Sequence, residues 1–185
     1  MSNRYITSHF PLISILLFSL TFALYTQTLI LTQLVDLGVY EGMREFFSEN
    51  GIKLTLLFLL MLFFFMIFSA LKLIADTTVE LSMLFFSKDI EGVELNKIRA
   101  GSSIFMGLSI ISLALTQDII YLTAAFAAAC FIYFVYFVYK VSDSLSILGL
   151  IGLIFFHIIF WSTFLIAVIY ALVKLYNSFM ASLPI

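Results

Sequence analysis

The 185-residue chain is 63% hydrophobic and 11% charged, carries a formal net charge of −2, and contains 22 Phe, 9 Tyr and one Trp. A soluble domain has about 25% charged and about 45–50% apolar residues, so a water-soluble single core is excluded. High apolar content with 2 Pro, 8 Gly and one Cys also excludes disorder, a collagen-like rod and a disulfide scaffold, which leaves a polytopic membrane protein.

A helix rising about 1.5 Å per residue needs about 20 apolar residues to cross a hydrocarbon core about 30 Å thick. No Lys, Arg, Asp or Glu lies between Arg4 and Asp36, and the first span is read at 11–31. Pro11 suits its opening turn, where a missing N–H has no partner to lose. No small-residue cleavage site follows, so the run is expected to stay as an uncleaved span that also directs insertion. The second span is read at 54–74, with the Lys72 ammonium extended toward the headgroups. The next apolar run is too long for one crossing, and Thr116, Gln117 and Asp118 interrupt it, which predicts a hairpin of spans at 100–115 and 119–139. A fifth span, 147–173, exceeds the minimum and allows tilt. Lipid offers the backbone no hydrogen-bond partner and the runs do not alternate, so all five are expected to be helices. The expected fold is all-α, one polytopic transmembrane bundle over residues 1–185.

Alternate sides then receive six and three basic residues. Arg4, Lys72, Lys88, Lys97, Arg99 and Lys140 fall on one, and Arg44, Lys53 and Lys174 on the other. Basic residues favour the cytoplasm, which places the N-terminus inside and the C-terminus outside. The extracytoplasmic connection, 32–53, is expected to hold a short surface helix from about Glu41 to Glu49 that stops at Asn50 and Gly51, with Met43, Phe46 and Phe47 on the interface.

The cytoplasmic connection, 75–99, is the most polar part of the chain. If the second helix continues past the membrane, Lys72, Asp76 and Glu80 share one face and Lys72 can pair with Asp76. Leu81, Leu84 and Phe85 then form an apolar stripe, residues 87–92 mark a turn, and Glu94 to Arg99 open the third helix. The connection reads either as a solvated helix extension or as a contact site for a partner or gate.

His157 is the one ionisable side chain deep within a span, ten residues past Ile147 and near the midplane. Such a group is a functional candidate by default, although a Ser, Thr or Tyr on a neighbouring helix could satisfy it. Asp118 stands at a helix rim, where it reads as a cap, and Tyr133, Tyr136, Tyr139 and Lys140 read as an aromatic and basic anchor. Ala100, Ser103, Gly107 and Ala114 on the third span, with Ala124, Ala125, Ala128 and Ala129 on the fourth, predict close packing of these two helices. Gly149 and Gly152 offer another close contact. With His9, His157 and Cys130 as the only His and Cys, there is no HExxH or CxxC spacing, and neither GxSxG nor a Gly-rich phosphate loop occurs. Cys130 reads as a packing residue. No catalytic, metal or cofactor site is expected.

The strings Tyr40-Glu41-Gly42-Met43, Leu84-Phe85-Phe86-Ser87-Lys88-Asp89, the run from Tyr133 to Lys140 and the tail Ala181-Ser182-Leu183-Pro184-Ile185 resemble the YufK-like family of small membrane proteins from Bacillus-type bacteria. The resemblance runs end to end, implies a bacterial plasma membrane and carries over no activity or site residue. The resulting expectation is a non-enzymatic accessory, regulatory or membrane-organising protein. Its partners are the lipid bilayer and a membrane protein or second copy, with no nucleic acid. Its working parts would be the connection from Asp76 to Arg99, including Glu80, and the helix faces that meet partners. The alternative is a small permease or channel subunit with His157 facing a hydrated path.

Overall fold

Backbone groups in a long apolar run must bond within their own segment, and they do so here as helices. The computed structural model describes residues 8–87 and 98–182. Helix α1 is Phe10–Asp36, with Pro11 in its first turn. Gly38, at φ 71°, takes the left-handed conformation that lets the chain turn into α2, Val39–Phe46. The Ser48 hydroxyl accepts from the Gly51 N–H at 3.1 Å and caps α3, Glu49–Phe86. A 3₁₀ turn, Arg99–Gly101, leads into α4, Ser102–Ser112, and a second, Leu113–Leu115, ends that helix. Helix α5 is Ile119–Val141, and after a third 3₁₀ turn α6 runs from Ile147 to Ser182. Among the described residues the only β feature is one isolated bridge, between Ser87 and Leu145.

Among the described residues four helices, not five, are both long and apolar enough to cross a membrane: α1, α3, α5 with its 3₁₀ extension, and α6. The expected span at 100–115 is a shorter apolar helix, Arg99–Leu115. Its 17 described residues reach about 25 Å at the α-helical rise, less than a hydrocarbon core of about 30 Å. Its bounds agree with those expected, with the turn at 116–118 ending it, and it is the length that sets it apart from the four longer helices. A second correction concerns 32–53, where the surface helix ends at Phe46. Asn50 and Gly51 lie in the first turn of α3, because the Ser48 cap starts a new helix before they can stop the old one.

Rising numbers on α1 meet falling numbers on α3: Phe18 packs on Phe68, Phe22 on Phe64, and Gln27 reaches the Lys53 carbonyl. The two helices are therefore antiparallel. Their contact builds one core cluster of Phe18, Phe22, Phe68, Leu122 and Ala129, with the Phe126 ring 5.0 Å from Phe68 and 5.3 Å from Phe18. A second cluster lies farther along α3, where Met83 meets Ile98, Phe137, Val141 and Leu153. α3 and α5 thus serve both clusters, whereas α6 joins only the second.

Helices α4 and α5 do pack together, but through another face of α4 than the small residues suggested. Ala100, Ser103, Gly107 and Ala114 are exposed; Gly101, Ser109 and Ser112 are buried, as are Ala125 and Ala129 of α5. A buried hydroxyl without a partner costs about 1–3 kcal/mol. Here each donates to a carbonyl of its own helix: Ser14 to Phe10, Ser19 to Ile15, Thr21 to Phe18, Ser109 to Met106 and Ser112 to Ser109. Ser112 Oγ also stands 3.3 Å from Thr21 Oγ1, which ties α4 to α1. Satisfied serines act as small packing residues and let these helices approach.

Candidate functional site

The four polar residues singled out from the sequence do not form one site. Lys72 and Asp76 pair along α3 as the spacing predicts, with their side chains 39% and 49% exposed. Glu80, a turn farther on, is exposed. Residues 88–97, which carry the rest of the polar connection, lie outside the described residues. Asp118 is the N-cap of α5: its carboxylate accepts from the Ile120 N–H at 2.8 Å. Its role is that of a helix start.

His157 is 4% exposed and sits in the second cluster, where Phe134 and Phe137 place their rings 5.4 Å from the imidazole and Phe156 lies at 5.8 Å. Nδ1 is 3.0 Å from the Leu153 carbonyl. A carbonyl only accepts, so Nδ1 carries the hydrogen and a neutral ring keeps its lone pair on Nε2. That nitrogen is buried without a hydrogen-bond partner among the described residues. The Ser, Thr or Tyr partner considered from the sequence is absent from its hydrogen bonds, because aromatic side chains fill the facing positions. Trp161 packs instead against Phe160 and Phe164.

Glycines hold α6 against α3. A Cβ on Gly149 would fall 2.8 Å from the Phe86 carbonyl oxygen, and one on Gly152 would fall 2.6 Å from the Phe86 ring. Gly101 meets Tyr133 and Tyr136 in the same manner, at 2.7 and 2.9 Å. Beside these rings Lys140 Nζ lies 5.8 Å from the Tyr136 ring centre and 5.9 Å from that of Tyr139, an arrangement that suits cation–π attraction. Cys130, read as a packing residue, is exposed on α5.

One polar group escaped the sequence reading. Where α1, α2 and α3 meet, an open surface hollow of about 390 Å³ is lined by Thr28, Thr32, Asp36, Tyr40 and Lys53. A second open hollow, of about 370 Å³, is lined by Gln27, Asn50, Lys53, Leu54 and Leu57. Gln27 Nε2 donates to the Lys53 carbonyl at 2.6 Å, and Lys53 Nζ lies 2.6 Å from Glu49 Oε1. The signal in the sequence was the Thr28, Thr32 and Asp36 series, spaced by four, on an otherwise apolar helix. Among the described residues no group of three or more His, Cys, Asp or Glu is placed to hold a metal ion.

Long apolar helices with exposed aliphatic and aromatic flanks define this chain as a multi-helix membrane protein. A model of DUF5366, described as a family of unknown function, matches residues 27–184. The chain is also 46% identical over 185 residues, the whole of both chains, to the Bacillus subtilis (strain 168) protein named "Uncharacterized membrane protein YufK". It belongs to this family. No solved structure matches it significantly.

Proposed function

We propose that the protein is a non-enzymatic accessory or membrane-organising component of the bacterial plasma membrane that works by presenting helix α6 to a partner within the bilayer. The observation that supports this is the uneven packing of α6. Its buried residues are Leu153 and His157, both in its first third, whereas Leu165, Ile166, Ile169, Tyr170, Leu172 and Tyr176 are all more than half exposed. At 36 residues the helix is about 54 Å long, and most of that length is left to lipid or to another protein. Helix association in lipid depends on close packing and polar contacts. Ser162, Thr163, Asn177 and Ser178 provide small or polar positions along the free part. The polar connection at 75–99, with Lys88, Lys97 and Arg99, belongs on the cytoplasmic side in this reading.

Photo-crosslinkers placed at Leu165, Ile169 and Tyr176 in native membranes test it. A defined protein adduct supports the proposal, and lipid adducts alone at all three positions overturn it. The permease reading gains no support from His157, whose ring is enclosed by Phe134, Phe137 and Phe156.

A further inference from the structure

We propose that the end of the bundle carrying α2 holds one membrane phospholipid by an amine-bearing headgroup, a phosphoethanolamine, seated between Asp36 and Lys53. The open hollow at this point is built by three helices: Asp36 closes α1, Tyr40 stands in the first turn of α2, and Lys53 lies in the second turn of α3. Lys53 lines the neighbouring cavity as well, so the two hollows share one cation.

The depth fits a headgroup. The charge-free run of α1 ends at Asp36 and that of α3 begins after Lys53, which places both charges where hydrocarbon gives way to polar lipid. The intervening α2 carries Glu41, Arg44 and Glu45, yet Phe46 and the adjoining Phe47 are 81% and 63% exposed. A short helix of this kind lies in the plane of the interface with its apolar side toward the acyl chains.

The donor and acceptor pattern selects the headgroup. Thr28 and Thr32 donate their hydroxyl hydrogens to the Leu24 and Thr28 carbonyls, at 3.1 and 3.0 Å, so only oxygen lone pairs remain for a ligand. With the Asp36 carboxylate they form an acceptor wall suited to a primary ammonium, which has three hydrogens to give. Lys53 and Tyr40, which line the same hollow, supply donors for a phosphodiester. Glu49 also bonds Lys53, which keeps the ammonium in place and shares its charge with the incoming phosphate. Leu31 and Val35 in one hollow, and Leu54 and Leu57 in the other, offer apolar surface to the first methylenes of the chains. A choline headgroup has no N–H to donate, and a glycerol headgroup has no cation for Asp36.

The inference is independent of any protein partner of α6, and a different experiment decides it. The full-length protein in mild detergent is mixed with phosphatidylethanolamine, phosphatidylcholine or phosphatidylglycerol of identical chains, and retained lipid is counted by native mass spectrometry. Retention of the ethanolamine lipid is expected to exceed the other two by about three- to fivefold, the scale of one partly exposed charge pair. Asp36→Asn removes that preference without lowering phosphatidylglycerol, and Lys53→Gln weakens all three. Equal retention of the three lipids by the unmodified protein overturns the proposal, as does an unchanged preference in Asp36→Asn. Soluble O-phosphoethanolamine is tested as a competitor. Competition as effective as the lipid's own binding overturns a membrane lipid as occupant, and failure to compete supports it.

Discussion

Gly149 of α6 lies so close to Phe86 of α3 that a methyl group on it would sit 2.8 Å from the Phe86 carbonyl oxygen. Backbone cannot swing aside as a side chain can, so α6 docks only because this position lacks a Cβ. Gly149→Val is expected to cost about 1–3 kcal/mol through overpacking. Gly107, which has nothing within 4 Å of its Cβ position, provides the comparison, and Gly107→Ala should change stability by no more than about 1 kcal/mol. Thermal unfolding of the two variants in detergent, followed by Trp161 fluorescence and circular dichroism, checks the difference. Equal melting temperatures would show that the α3–α6 contact is not made.

His157 separates ring packing from nitrogen chemistry. Its imidazole is flanked by Phe134, Phe137 and Phe156, while its buried Nε2 has no partner among the described residues. His157→Phe keeps the ring and removes an orphan that costs about 1–3 kcal/mol, so this variant should be as stable as the parent or more so. His157→Ala leaves a cavity and should lose about 3 kcal/mol, near the range for deleting a buried aromatic ring. A less stable His157→Phe in chemical denaturation would mean that Nε2 has a partner the packing does not reveal.

The Lys72 and Asp76 pair is half open to solvent, and the lysine precedes the acid, the weaker order along a helix. A double-mutant cycle with Lys72→Met and Asp76→Asn should therefore give a coupling below about 1 kcal/mol that shrinks with added salt. A coupling several times larger and insensitive to salt would place the pair in a low-dielectric setting.

Asp118 starts α5 by accepting from the Ile120 N–H at 2.8 Å. Asp118→Ala should destabilise the protein by about 0.5–2 kcal/mol, and Asp118→Ser should restore most of the loss by capping with its hydroxyl. Melting temperatures of the pair decide it. Equal losses in both would assign Asp118 a role other than the cap.

Much of the local structure was legible in the chain itself. Charge-free runs gave the long helices, Pro11 the opening of α1, the i, i+4 spacing the Lys72–Asp76 pair, and Asp118 the start of α5. Gly149 and Gly152 announced a close contact, although not that Phe86 would fill it. These features depend on residues within a turn or two of one another, where geometry is fixed by the helix alone.

The facing of the helices was decided only by tertiary structure. In a soluble protein the buried side of a helix is apolar and the other polar, but in lipid both sides are apolar and that contrast disappears. Hence Gly107 and Ala114 look outward while Ser109 and Ser112 enter the core, a choice that small size made possible and local hydrogen bonding made inexpensive. The same limit hid the meeting of Asp36, Tyr40 and Lys53, which come from three helices and converge only when α1 and α3 pack antiparallel with α2 between them. Composition determined that the chain is built for lipid. Packing determined which side chains meet there, because only contacts between distant segments can distinguish two faces that are equally apolar.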